Sequence, residues 1–314
     1  MADSLVRTPS ELAGTATATK SQSWLARHLG VYGYVAPVVI ITVAVMGYPF
    51  VYSIYLSFRS TPSYSLTSTF AGLSNYTKLL HEPVFGHSLV TTAIWTIAST
   101  VLDVALGLAS ALLLAGVRRF GAILRAAIML PYIVGYVVAS YAWLWLYQGE
   151  YGLISQVLMK WGLTSHPLNL LSSLHLALPA VILVNVWKTF PFAMIMLLAG
   201  LQAVPEQTVL AARLDRASNW RIFWEVKLSY IRPVLVISTM LLAIQNFNTF
   251  TIPYIMTHGG PRNRTQIVSN YIYNLAFTNL DFGSAAAGAI IVTIILMVFA
   301  IFYLRAAARE DGGV

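Results

Sequence analysis

The residues best suited to chemistry in this sequence are polar side chains set within long apolar runs. Asn185, Lys188 and Phe192 stand at i, i+3 and i+7 in the run 174–204, with Trp187 and Thr189 beside them. The segment IQNFNTF places Gln245, Asn246, Phe247, Asn248 and Phe250 in another run. Amides that both donate and accept, next to aromatic faces, suit a neutral, hydroxyl-rich solute. The same amides at membrane depth also hydrogen-bond one helix to another, and residue types alone leave both readings open. Asp103 and Lys188 add one carboxylate and one ammonium to the same apolar background. Such groups are costly in lipid and are usually paired or functional. Their opposite signs allow either a structural pair or the ion path of an ion-coupled secondary transporter of a small polar solute.

Catalytic chemistry finds little footing. The chain has no cysteine, and its six histidines are scattered, with no i, i+4 pair in an apolar run. No HExxH or GxSxG is present. None of Lys20, Lys78, Lys160, Lys188 or Lys227 follows a glycine, so the phosphate-cradling loop of a nucleotide hydrolase is missing. No catalytic residue and no metal ligand set is expected, and any energy source lies on another chain or in an ion gradient.

The elements that carry these residues follow from hydropathy. Of 314 residues, 58% are hydrophobic and 10% charged, against roughly 45–50% and about 25% in soluble domains. Six runs reach the roughly 20 apolar residues that a bilayer-crossing helix needs: 31–58, 88–117, 126–149, 174–204, 233–257 and 282–304. They are solidly apolar rather than alternating, which argues against an outer-membrane barrel. Backbone amides in hydrocarbon must be satisfied internally, so each run reads as a helix. Of the 19 Lys and Arg, 13 lie before the first run, between the second and third, between the fourth and fifth, and after the last. By the positive-inside rule both termini face the cytoplasm. The charge is a topology signal, not the footprint of a nucleic-acid partner. Residues 1–28 read as a flexible cytoplasmic tail without a signal peptide, 29–305 as the transmembrane domain, and 306–314 as a cytoplasmic C-terminal tail.

The loop 205–232 concentrates charge and aromatics. Leu210, Leu214 and Ala217 fall at i, i+4 and i+7 on one face, with Arg213 and Arg216 on a neighbouring face. Ser218-Asn219 offers a turn and a new N-cap. Trp220, Phe223, Trp224 and Val226 then supply a second apolar face before Pro233 opens the fifth run. Two short helices across the cytoplasmic ends of the bundle are expected. They serve either as an interfacial anchor or as a docking surface for a soluble partner.

VPEQTVLAARLDRASNWRIFWEVKLSYIRP resembles the EAA loop of ATP-binding-cassette importer permeases. Ala211, Ala212, Asp215, Ala217, Phe223 and Leu228 match that pattern, while Leu210, Arg216 and Ser229 stand where it has Glu, Gly and Pro. With Arg216 at the glycine position, the bend must be made without the residue that takes left-handed turns freely, or the helix runs on. Further segments are similar, in order, to the maltose and glycerol-phosphate type permeases of the carbohydrate-uptake branch. These are YVAPVVIITVAVMGYPFVYSIYLSF, DVALGLASALLLAG, RAAIMLPYIVGYVVASYAWLWLY, VNVWKTFPFAMIMLLAGLQAVPEQ and GGPRNRTQIVSNYIYNLAF.

The resemblance implies an all-α membrane protein of the type I ABC importer permease fold. Six transmembrane helices would carry a cytoplasmic coupling helix between spans 4 and 5, in a bacterial or archaeal plasma membrane. The chain would be one subunit of an ATP-driven importer of a di- or oligosaccharide or related polyol, working by alternating access. Its implied partners are a second, different permease, two ATPase subunits and an extracellular or periplasmic solute-binding protein, with lipid around the spans. The chain itself would bind no cofactor, ATP and Mg belonging to the ATPase. Carried over residue by residue, the solute contacts fall on Asn185, Phe192, Phe247 and Asn248, then Asn246 and Phe250, with Lys188 in the same stretch. The ATPase-coupling positions are Leu210, Ala211, Arg213, Leu214, Asp215, Arg216, Ala217 and Phe223.

Overall fold

The computed structural model describes residues 35–60, 69–117 and 119–311. The expected N-terminal tail, Arg118 and residues 312–314 lie outside the described residues. The chain divides into two compact units at Tyr52/Ser53. The first described helix is α1 (Val35–Ser57). A two-residue hairpin, β1 (Arg59–Ser60) with β2 (Thr69–Phe70), and a short helix α2 (Ser74–His81) follow. Helix α3 (Pro83–Ala115) opens with proline in its first turn, where a missing amide costs nothing. Next come α4 (Gly121–Ile133), α5 (Tyr136–Leu146), α6 (Leu153–Lys160) and α7 (Ala177–Gln202). Helix α8 (Glu206–Leu214) leads into α9 (Asn219–Phe247), and α10 (Thr251–Thr257) follows it. The last helices are α11 (Val268–Tyr273), extended by a π turn Asn274–Thr278, and α12 (Phe282–Asp311). Among the described residues five helices are long and apolar enough to cross a membrane, or six if the bent pair α4–α5 counts as one span.

Helix α7 is the central post of the second unit, packed against α3, α4, α5, α9 and α10. Small residues let it approach closely: a Cβ added at Gly107 of α3 would collide with Ala193 of α7. Around that contact Ala111, Met194, Leu197, Ile231 and Leu242 form a fully enclosed apolar layer joining α3, α7 and α9. A second layer, Trp95, Val181, Val184, Ile252 and Ile267, lies nearer the other end. At the loop end, α2, α3, α11 and α12 share a third cluster around Leu79, Phe85 and Val268. The amide of Asn75 donates to Ser57 O and Arg59 O, both at 2.8 Å, and Lys78 pairs with Asp281 at 2.8 Å.

Two elements differ from the hydropathy reading. The third run is not one helix. It breaks at Val134-Gly135 and turns through 93° between α4 and α5. Pro131, three residues before the break, removes an amide from the helical ladder, and Gly135 starts α5 from an extended conformation (ψ 144°). The fifth run does not begin at Pro233. Helix α9 starts at Asn219, capped by the Ser218 hydroxyl, which accepts from the Arg221 amide at 3.3 Å, and continues through a π turn at Ile222–Lys227 and through Pro233. The expected second short helix around Trp220–Trp224 is therefore the first turns of α9. That run also breaks, at 248–250, before α10 resumes it.

Candidate functional site

The polar side chains singled out in the two apolar runs part into three groups. The first is a closed network joining α3, α7 and α9. The Asn185 amide donates to Asn246 Oδ1 at 2.8 Å. The Asn246 amide donates to Asp103 Oδ2 at 3.0 Å and to Thr100 Oγ1 at 3.1 Å. Thr189 Oγ1 lies 2.8 Å from Asp103 Oδ1 and 2.7 Å from Asn185 O. Asp103, Asn185 and Asn246 are fully buried. Asn185 Oδ1 is left without a partner. In a low-dielectric interior such a network ties helices together and fixes their register.

The second group braces the break in the third run. Lys188 is 3% exposed, and its ammonium donates to the carbonyls of Pro131 (3.5 Å), Tyr132 (3.2 Å) and Val134. These carbonyls lose helical partners where α4 ends, and a cation at a helix C-terminus is favoured by the helix dipole as well. The ammonium also lies 4.3 Å from the centroid of the Tyr136 ring. No ion pair joins Lys188 to Asp103, so the two buried charges serve separate purposes. Phe192, half-buried, stacks on Tyr132 at 6.1 Å beside the same break.

The third group opens a cleft. The two broken runs meet where Gln245 Nε2 donates to the Tyr136 hydroxyl at 2.8 Å. Around that bond Tyr136, Gln245, Asn248, Thr249, Phe250 and Thr251 line a cleft of about 350 Å³. This volume is at the lower end of the ~300–1,000 Å³ typical of small-molecule sites. Asn248 is exposed, its amide resting on Ile244 O at 2.9 Å. Phe250 stacks on Tyr254 at 4.8 Å and packs on Tyr273 at 4.9 Å. Phe247 is half-buried. The break itself is held from two sides: Trp95 Nε1 donates to Asn246 O at 3.1 Å, and Ser269 Oγ donates to Thr249 O at 2.7 Å. The sequence reading missed Tyr136 and Trp95. Pro131 and Gly135, four residues apart, were the signal that Tyr136 follows a break.

The loop 205–232, expected to carry the coupling positions, is built quite differently. Helix α8 has no buried residue. It ends in a Schellman turn: Ala217 N donates to Ala212 O and Arg216 N to Arg213 O, both at 3.0 Å. Arg216 itself takes the left-handed conformation, φ 57°. The bend is thus made at the position expected, by a residue that adopts it at a cost of about 1 kcal/mol relative to glycine. The turn leaves Leu210 (49% exposed), Leu214 (85%) and Trp220 (71%) on the surface. Ala211, Arg213 and Asp215 are exposed and Ala217 partly so. Phe223 is half-buried in a cluster with Trp220 and Trp224.

Comparison with known proteins agrees with this architecture. Residues 103–310 match the family described as binding-protein-dependent transport system inner membrane component, and the chain belongs to that family. It is 31% identical over 281 residues to a probable ABC transporter permease protein of Brucella suis biovar 1 (strain 1330), covering 89% of this chain and 97% of the relative. It is 30% identical to the trehalose/maltose transport system permease protein MalF of Thermococcus litoralis, over 87% of this chain and 92% of that one. A bacterial alginate ABC transporter, solved in complex with an alginate pentasaccharide-bound periplasmic protein, contains a chain of the same fold. Its TM-score is 0.80 at 17% identity, covering 91% and 96% of the two chains. The protein is thus a multi-pass permease component of a transport system, with the type I importer permease fold. A solute-binding protein is part of such a system. The ion-coupled secondary transporter finds no support.

Proposed function

We propose that this chain is one of two unlike permease subunits of an ATP-driven importer that passes a sugar into the cytoplasm. The class of solute is a di- or oligosaccharide or a related polyol. The observation that carries the proposal is the loop 205–232: Leu210, Leu214 and Trp220 stand exposed around the left-handed turn at Arg216. Large apolar side chains grouped on a polar, charged helix mark a surface that a soluble partner covers. Two ATPase subunits, which bind the ATP and Mg, fill that role, since this chain lacks a phosphate loop. The permease sits in a bacterial or archaeal plasma membrane with both termini in the cytoplasm.

The cleft at the crossing of the two breaks is the proposed solute path. Tyr136, Gln245, Asn248 and Phe250 offer hydroxyl, amide and aromatic surfaces without a net charge, the surroundings that hydroxyl-rich solutes favour. The second permease closes its open side. Asn185 and Asn246 reach the solute only if their network opens during alternating access. The sugar assignment is supported by the trehalose/maltose permease and the alginate importer among the relatives. The test is uptake in proteoliposomes holding both permeases, the ATPase pair and the binding protein. Uptake that requires ATP and binding protein, and persists when the proton gradient is collapsed, supports the proposal. Uptake by the permease alone, or lost with the gradient, refutes it.

A further inference from the structure

Lys188 is a buried cation in a membrane-spanning helix, in line with the candidate solute contacts, yet its geometry directs it elsewhere. An ammonium has three protons to give. All three are committed to the carbonyls of Pro131, Tyr132 and Val134, and the remaining face of the group is covered by the Tyr136 ring. No donor is left for a solute hydroxyl. The carbonyls it serves are those set free by the 93° break, and at membrane depth no solvent replaces them.

Tyr136, the first residue beyond the break, hydrogen-bonds Gln245 across the cleft. A continuous set of contacts therefore runs from Lys188 on α7 to the bend, from the bend to Tyr136, and from Tyr136 to the wall of the cleft. We infer that Lys188 is a positioning residue: it holds the α4–α5 bend at the angle that places Tyr136 against Gln245, and so sets the shape of the solute cleft without touching the solute. This rests on the proposed solute path, and the experiment separates the two.

The chain has no native cysteine, so labels are placed cleanly. Ile123→Cys in α4 and Trp145→Cys in α5, both exposed, carry spin labels on the two arms of the bend in the assembled transporter. Lys188→Met keeps the length of the side chain and removes its donors. Lys188→Arg restores a cation with N–H groups. The Met variant is expected to broaden and shift the label–label distance and to lower uptake about tenfold, and the Arg variant to recover both. A Met variant with an unchanged distance overturns the inference, whether uptake is lost, which makes Lys188 a direct solute contact, or retained. A changed distance with normal uptake overturns it too, since the brace would then have no bearing on transport. Asn248→Ala, outside the brace, reports on the solute path alone. If it leaves uptake untouched, the cleft assignment fails while the label distances still report on the brace.

Discussion

The network around Asp103 and the segment around Leu214 use polar and charged residues in opposite ways. In the network, a carboxylate, two amides and two hydroxyls bond to one another across three helices, with only Asn185 Oδ1 of the amide and carboxylate oxygens left over, and Asp103, Asn185 and Asn246 are sealed from solvent. In the coupling segment, Arg213, Asp215 and Arg216 face outward beside exposed leucines, and the cation–carboxylate pair found there, Arg221–Glu225, lies on the surface at 2.8 Å. The first region is built from contacts within the chain. The second leaves Leu214 and Trp220 on the surface, and the proposal assigns that surface to a soluble partner. Burial separates the two sets of polar groups, a distinction that residue type alone does not make.

Breaking each region should therefore give different losses. Leu214→Asp with Asp215→Lys should abolish ATP-driven uptake in reconstituted transporter while helicity and elution of the permease stay normal; retained uptake would remove the segment from the drive train. Asp103→Ala should act in the reverse sense. It leaves one N–H of the Asn246 amide without its acceptor, at about 1–3 kcal/mol for an unpaired buried group, while Thr189 keeps Asn185 O and the other Asn246 N–H keeps Thr100; thermal unfolding of the solubilised permease should show a lowered midpoint. Arg216→Gly relieves a left-handed residue and should stabilise the coupling turn by about 1 kcal/mol. A clear fall in uptake with it would mean that the guanidinium contacts the partner.

The smallest expected effect lies at the Lys78–Asp281 pair between α2 and the start of α12. Burial pushes the Asp281 carboxyl up. Hydrogen bonds from Lys78, the Ser284 amide and the Ser284 hydroxyl, with the charge of Lys78, outweigh it and hold the group below its ordinary value. A lowered carboxylate pKa contributes stability that is present above the unfolded-state value, about 3.9, and is lost as the pH falls through the folded one. Lys78 is 61% exposed, so the contribution is screened and stays under ~1 kcal/mol. Asp281→Asn should flatten that part of the acid-unfolding curve, and an unchanged curve would show the pair to be incidental.

Much of this was legible in the sequence. The apolar runs and the charged loop 205–232 rest on hydropathy, which a single chain displays directly. Local propensity put the turn at Ser218-Asn219; the bend at Arg216 was suggested only by the glycine position of the resemblance, with a helix that runs on left open, and its left-handed form is seen only in the structure. The α4–α5 break was less visible, because an apolar run containing Pro131 and Gly135 fits a kinked single span equally well. The start of α9 was misplaced because Pro233 is compatible with a first turn. The Ser218 cap and the packing of Ile222 and Ile231, both buried, decide otherwise. The division of labour among Asn185, Lys188, Asn246 and Asn248 was not legible at all. Four polar residues on two neighbouring runs look alike until the third run bends and hands its free carbonyls to Lys188.

The central claim is that a soluble motor covers the turn at Leu214 and drives the spans through it. A single cysteine at that position, Leu214→Cys, reads this directly through its reaction with a water-soluble maleimide. The account predicts rapid labelling of the isolated permease and strong protection once the ATPase pair is bound. Equal labelling in the two states would contradict it.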